Sequence, residues 1–102
     1  MTISESGRSA IERAQLQYRQ ELPAKADELQ RLHQAYLQRR DLDCQQLLLR
    51  QTHRLSGSAG MYELPHLSQL ARAAHHQLRD NPDDATAALT ELLDAMRKAA
   101  GG

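Results

Sequence analysis

One histidine of this sequence is followed by two glycines on the same side of a predicted helix. The helix is predicted from about Leu42 to Gly60, with a buried stripe centred on Leu48. At 100° per residue, His53 lies about 140° from that stripe, on the outward face. Gly57 and Gly60 share this face, although glycine costs about 1 kcal/mol relative to alanine inside a helix. A face without side chains lets another macromolecule approach, so that a reactive group on the partner can reach the imidazole.

Both features also have plainer explanations. Gly60, and less readily Gly57, can simply belong to the end of the helix. His53 can be an ordinary surface histidine of a helical bundle, and helical spacing alone does not decide between these interpretations.

The other histidines and the single cysteine are weaker candidates for chemistry. His33 falls on an apolar stripe and is expected to pack in the core or at its boundary, while His66 is expected to be exposed. His75 and His76 are adjacent, so their side chains point about 100° apart and lack the i, i+4 spacing of helical zinc sites. Cys44 is expected to act as a small buried hydrophobe. We therefore predict no metal site.

Composition limits the fold class and the class of partner. The 102 residues carry 13 basic and 13 acidic side chains, and this balance argues against a general nucleic-acid binder. Three tyrosines are the only aromatic residues besides histidine, so the core is expected to consist of leucine and alanine, as in helical proteins. One cysteine excludes an intrachain disulfide. No apolar run reaches the roughly 18 residues of a membrane span, and no signal peptide is evident, so a cytoplasmic location is expected.

The first helix is predicted from local signals. Residues 1–8 are expected to form a flexible leader, and Ser9 with Glu12 reads as a capping box at a helix start. Pro23 is expected to kink or restart the helix. The apolar stripe of this region consists of Leu22, Ala26, Leu29, His33 and Tyr36.

Three further helices complete the predicted fold. They are expected over about 42–60, from Pro65 to about Arg79, and from the Asn81–Asp84 start signal to about residue 100. Short connections between amphipathic helices favour an antiparallel up-down four-helix bundle over residues 9–100. The class is therefore all-α.

The segment Thr52–Gly60 resembles the signature of histidine-containing phosphotransfer (HPt) domains. That signature reads histidine, any residue, leucine, lysine, glycine, serine, alanine. The residues that match it in register are His53, Leu55, Gly57, Ser58 and Ala59. The likeness extends beyond this segment, from the Leu22-Pro23 kink to Leu70. Two positions depart from it: Ser56 replaces the common lysine, and Glu63 replaces a glycine often found in the following turn.

The resemblance implies that His53 takes a phosphoryl group from an aspartate of a receiver domain and passes it to another receiver. Histidine changes its charge between about pH 5 and 8, so a neutral ring with an attacking lone pair is available near neutral pH. Nε2 is the expected attacker because it projects furthest. The receiver brings Mg²⁺, and the chain itself is expected to need no cofactor. Without a glycine-rich nucleotide loop, no autokinase activity is expected.

The resemblance also implies the partners and the docking face. We expect a response regulator receiver domain and a hybrid sensor histidine kinase as partners, no nucleic acid, no membrane, and a monomeric chain. The residues expected to contact the partner are Gln46, Leu49, Arg50, Arg54, Ser56, Gly57 and Gly60. The family lysine is thought to neutralise the phosphoryl group. In its absence Ser56 could donate a hydrogen bond, and Arg50 or Arg54 could supply charge.

Two alternative functions stay open at this stage. An HPt-like module could dock a receiver or kinase without phosphotransfer, and the missing lysine at Ser56 keeps this alternative in view. The chain could also be a structural helical bundle that forms a dimer or serves as an adaptor.

Overall fold

Four α-helices and one short 3-10 turn build the chain. The computed structural model describes residues 5–101. The elements are α1 (Glu5–Arg39), α2 (Leu42–Met61), α3 (Pro65–Asp80), the 3-10 turn (Pro82–Asp84) and α4 (Thr86–Gly101). Residues 5–101 contain no strand, which confirms the all-α class.

The helices pack as an antiparallel up-down bundle, as predicted. Each helix contacts the next one along the chain, and α4 returns to contact α1, so the four helices close into one bundle. Within residues 5–101, no helix combines the length and apolarity needed to cross a membrane.

The predicted stripes form the core. All five stripe residues of α1 are buried, and so are Leu48, Thr52, Leu55 and Ala59 on α2. On the last two helices the buried residues include Leu67, Ala71, Ala74, Leu78, Leu89, Leu92 and Met96. Cys44 and Leu70, which the stripes also predicted to face inward, are only half-buried against the core.

The prediction for the start of α1 was wrong in one respect. α1 begins at Glu5 rather than at Ser9, so residues 5–8 of the predicted leader are helical, and residues 1–4 lie outside the described range. A capping serine does not stop a helix whose preceding residues can add further backbone hydrogen bonds, because propagation is easier than nucleation.

Pro23 does not restart the helix. α1 continues through it to Arg39 as one element. Proline removes one backbone donor, but Leu22 and Ala26 on either side are fully buried, and their packing holds both halves of the helix against the bundle. A bend at Pro23 stays a prediction.

α1 is much longer than the bundle it belongs to. Its 35 residues span about 52 Å, whereas the 16 residues of α3 or α4 span about 24 Å. Residues 8–14 are all exposed, including Ile11 at 48%. The N-terminal part of α1 therefore extends beyond the end of the bundle.

The start signal at residues 81–84 forms a different element from the one predicted. Pro82–Asp84 adopt a 3-10 turn, and α4 begins only at Thr86. The backbone N–H of Asp84 bonds the carbonyl of Asn81, and that of Ala85 bonds the carbonyl of Pro82, both three residues back. A proline followed by acidic residues suits the first turn of either helix type, so the sequence signal does not separate them.

The turn between α2 and α3 holds Glu63 in the left-handed region, with φ 63°. The N–H of Leu64 bonds the carbonyl of Ala59 at 2.8 Å, and the N–H of Glu63 bonds that of Gly60 at 3.3 Å. This pair of bonds is the Schellman arrangement, whose left-handed position usually carries glycine. The structure thus explains why a glycine is common at this position.

Glu63→Gly is expected to raise the free energy of unfolding by about 1 kcal/mol, because glycine adopts a left-handed conformation without steric cost. Urea denaturation of both chains measures the change. The control, Glu63→Ala, removes the charge and keeps the backbone strain, so it is expected to change stability much less. Equal effects of the two variants would show that the charge, and not the backbone, is responsible.

His33 is packed in the core, as predicted. Its residue is 6% exposed, and its Nε2 is buried without a hydrogen-bond partner. Burial lowers the pKa of His33 below its usual 6.5. The unfolded chain therefore binds a proton at this residue at higher pH than the folded chain does, and stability decreases as the pH falls below about 6.5.

His33→Leu is expected to raise stability and to reduce its loss at acid pH, because leucine has no buried polar atom to satisfy or to protonate. Melting temperatures at pH 7.5 and 5.5 test this: the gap between them should shrink in the variant. The exposed His66 provides the control, and His66→Gln should keep the gap of the unchanged chain. A gap that is the same in all three chains would contradict the role of His33.

Candidate functional site

The burial of Thr52 sets the direction of His53. The Thr52 side chain is fully buried, and its hydroxyl lies 2.8 Å from the carbonyl oxygen of Leu48, one turn back. Since successive residues of a helix point about 100° apart, His53 is turned away from the core. It is exposed near the middle of α2, as predicted.

Hydrogen bonds from side chains to backbone carbonyls fix α2 against α3. Three such bonds occur along the contact: Gln45 Nε2 to Leu78 O at 3.2 Å, His75 Nδ1 to Leu49 O at 3.0 Å, and Ser68 Oγ to Ser56 O at 2.5 Å. Each step along α2 towards its end is matched by a step of nearly the same number of residues back along α3, as expected for antiparallel helices. The three bonds hold both the register and the rotation of α2, and therefore the position of His53.

His75 is a neighbour of His53 that the sequence analysis missed. Its ring centroid lies 5.7 Å from that of His53, with the ring planes tilted by 50°. The sequence does contain a usable signal. Leu49 and His75 lie the same number of residues before and after Tyr62, which is in the turn between α2 and α3. In antiparallel helices they therefore lie opposite each other, and Leu49 is about one helical turn from His53. Spacing along α3 alone relates His75 only to His76, whose ring is 6.0 Å from it and tilted by 60°.

The predicted docking residues share the outer surface of α2. Gln46, Arg50, Arg54, Gly57 and Gly60 are exposed, whereas Leu49 and Ser56 are half-buried.

The two arginines of this surface differ in position. Arg50 lies about 60° from His53 around the helix, and Arg54 lies about 100° away, on the opposite flank from Leu49. Arg54 lines a cavity of about 230 Å³ together with Lys25 and Glu28 of α1. Among the described residues, neither arginine belongs to an ion pair. Arg50 thus faces more nearly the same direction as His53 than Arg54 does.

The two serines of the motif point to backbone or core rather than to solvent. The Ser56 hydroxyl donates to the carbonyl oxygen of His53 at 2.7 Å, so it is committed within its own helix. Ser58 shares a 2.7 Å hydrogen bond with the phenol of Tyr18, whose ring stacks on Tyr62 with centroids 4.4 Å apart. Ser58 therefore joins α1 to the end of α2.

The two glycines are not required by the packing of the bundle. A Cβ atom added at Gly57 would meet nothing within 4 Å, and one at Gly60 would meet only the Ser68 Oγ at 3.7 Å. Neither glycine has a positive φ. An alanine would fit at both positions, so the bare surface beside His53 has no explanation within the folded chain.

The site holds no cluster suited to a metal. Across residues 5–101, no three His, Cys, Asp or Glu side chains are grouped so that they could hold an ion. What the geometry offers is an exposed imidazole, a second imidazole held beside it, nearby arginines and an open helix face.

Comparison with known proteins agrees with this geometry. The family model described as "Hpt domain" matches residues 13–100, from within α1 to near the end of α4. No curated protein and no solved structure gives a significant match.

Gly57→Ala is expected to raise the free energy of unfolding by about 0.5–1 kcal/mol, because alanine is the better helix former and the added methyl group enters open space. Urea denaturation checks the sign. Gly60→Ala is the matched comparison, with an equal or smaller gain because its methyl group contacts Ser68. A destabilised Gly57→Ala chain would show that the fold itself needs this glycine.

Proposed function

The chain belongs to the Hpt domain family, and we propose that His53 is its phosphoacceptor. Membership makes the chain a histidine phosphotransfer module of two-component signalling, which interacts with response regulator receiver domains or kinases. The observation that carries the proposal is the position of His53. It is the histidine of the family motif, and it lies exposed beside the bare backbone of Gly57.

The other histidines are less suitable acceptors. His33 is buried in the core. His66 and His76 are exposed but lie on α3, outside the motif. His75 is half-buried, with one ring nitrogen bonded to a backbone carbonyl.

From this chain, the proposed transfer needs only the neutral ring of His53. The Nε2 lone pair attacks the phosphorus of an aspartyl phosphate in line, forming an N–P bond. The P–O bond to the aspartate breaks, and its electron pair stays on the aspartate carboxylate. Charge on the transferring oxygens would be balanced by the Mg²⁺ that a receiver domain carries. The reverse sequence hands the group to a second receiver, so the chain acts as a carrier without a cofactor of its own.

The docking surface proposed for the receiver surrounds His53. Leu49 supplies a half-buried apolar contact, Gln46 and Arg50 supply exposed polar groups, and Gly57 leaves room for the partner to approach. A phosphorylated aspartate lies in a recess of its own domain, so close approach of the two backbones is what the bare helix face would provide.

A second function, docking without transfer, rests on one observation. The family lysine is replaced by Ser56, and the Ser56 hydroxyl is bonded to the carbonyl of His53. This position therefore contributes no positive charge to a phosphoryl group. An HPt module that binds a receiver or kinase and blocks it would need no such charge.

Incubation with a radiolabelled phosphorylated receiver tests the proposal. The unchanged chain is expected to gain label that is stable to base and labile to acid, and His53→Gln is expected to gain none, because the attacking nitrogen is gone. His76→Gln, the matched control on α3, should accept label normally. Labelling of the His53→Gln chain would mean that the acceptor is another residue.

Binding of the receiver separates the two functions. Calorimetric titration with an unphosphorylated receiver should give similar affinity for the unchanged chain and for His53→Gln, since glutamine keeps the shape of the surface. Binding to both chains, with no label on either, would favour docking without transfer.

A further inference from the structure

The hydrogen bonds around His75 determine which of its nitrogens carries the proton. Its Nδ1 lies 3.0 Å from the carbonyl oxygen of Leu49 and 3.2 Å from the hydroxyl of Thr52. A carbonyl oxygen can only accept, and the Thr52 hydroxyl makes its shortest contact, at 2.8 Å, as donor to the carbonyl of Leu48. Nδ1 must therefore be the donor, and in the neutral ring Nε2 is left with a lone pair.

The ring of His75 lies close to that of His53, where the phosphoryl group would be carried. Its ring is 5.7 Å from that of His53, and the residue is half-buried and tied to α2 through Leu49. A phosphoryl group on His53 would add about 3 Å beyond the attacked nitrogen and bring negative oxygens into the space around both rings. With Nδ1 occupied, Nε2 is the nitrogen of His75 that is free to meet them.

We propose that His75, protonated at Nε2, donates a hydrogen bond to the phosphoryl group carried by His53 and so holds it on the chain. This inference rests on the proposed role of His53. In the neutral ring Nε2 would turn a lone pair towards the phosphoryl oxygens, and no bond would form. Ser56, in place of the family lysine, carries no positive charge. His75 supplies that charge instead, and only when it is protonated.

Few titratable side chains of the described residues interact with His75. The titratable side chains that interact with it are His53 from α2, and His76 and Asp80 from α3. Asp80 is bonded mainly to Arg79, and this bond is the main reason for the lowered pKa of its carboxyl. No hydrogen bond, ion pair or ring contact joins His75 to α1 or α4 in the described part of the chain.

Arginine is the alternative source of charge. Arg50 on α2 and Arg72 on α3 lie within one turn of the two rings and are exposed. A guanidinium group stays charged at every pH in question, so stabilisation by arginine would not depend on pH. Stabilisation by His75 would depend on pH. By linkage, the phosphoryl group on His53 must in turn favour protonation of His75.

Histidine titrations by NMR, with and without phosphorylation, test the inference on the full chain. Phosphoramidate serves as a small phosphoryl donor, so no receiver is needed. Phosphorylation of His53 is expected to move the titration of His75 upward by at least about one pH unit, because a hydrogen-bonded negative group stabilises the protonated ring. His76, whose ring lies beyond that of His75, should move clearly less, and nitrogen shifts should show the proton of neutral His75 on Nδ1.

Two variants make the outcomes distinct. In His53→Gln the donor should leave the His75 titration unchanged, and phosphorylation of His75 itself in that chain would overturn the inference. In His75→Gln, the phosphoryl group should leave His53 faster than in the unchanged chain, because the charged donor is gone, and the difference should be larger at about pH 6 than at about pH 8; equal rates in the two chains would overturn the inference. If His53 accepts the group but His75 titrates as before, His75 does not hold it. If His53 accepts no group from phosphoramidate or from a receiver, the proposed function itself fails.

Discussion

The buried hydroxyl of Thr52 is the constraint on which the arrangement of the site depends. A polar group with no exposure must find a partner, and Thr52 finds it in the carbonyls of its own helix. Its burial fixes one side of α2 against the core and leaves the next residue, His53, in solvent. The bonds between α2 and α3 then lock this rotation, including the one from His75 to Leu49. One buried polar residue thus orients the exposed imidazole, and one inter-helix bond brings a second imidazole beside it.

Much of this could be predicted from sequence, because helical periodicity reports which side of a helix is buried. The stripes through Leu22 and Leu48 and the outward direction of His53 follow from 100° per residue, and they were confirmed. The predictions that failed concern positions where two local structures differ little in free energy. At Pro23 the packing of a long helix outweighs one lost hydrogen bond, and at residues 82–84 two helix types share the same start signal. The proximity of His75 depends on contacts between helices, which periodicity along one helix does not contain.

The two departures from the family pattern differ in their physical effect. Glu63 changes a position whose requirement is conformational, and the chain accepts a left-handed residue with a side chain in order to keep the turn. At position 56 the family pattern has a positive charge, whereas the hydroxyl of Ser56 is uncharged and bonds to a carbonyl of its own helix. The first substitution affects how firmly α2 and α3 are joined. The second affects the charge available around His53, so the two act on separate properties of the module.

The extension of α1 beyond the bundle changes how the molecule meets others in solution. With dimensions of 51 × 22 × 21 Å, the chain is a rod more than twice as long as it is wide. A rod spins quickly about its long axis and turns end over end slowly, and most of its surface is flank. His53 lies in the middle of α2 and therefore on this flank. The same helix that leaves Ile11 in solvent thus lengthens the molecule and leaves the imidazole on its long side.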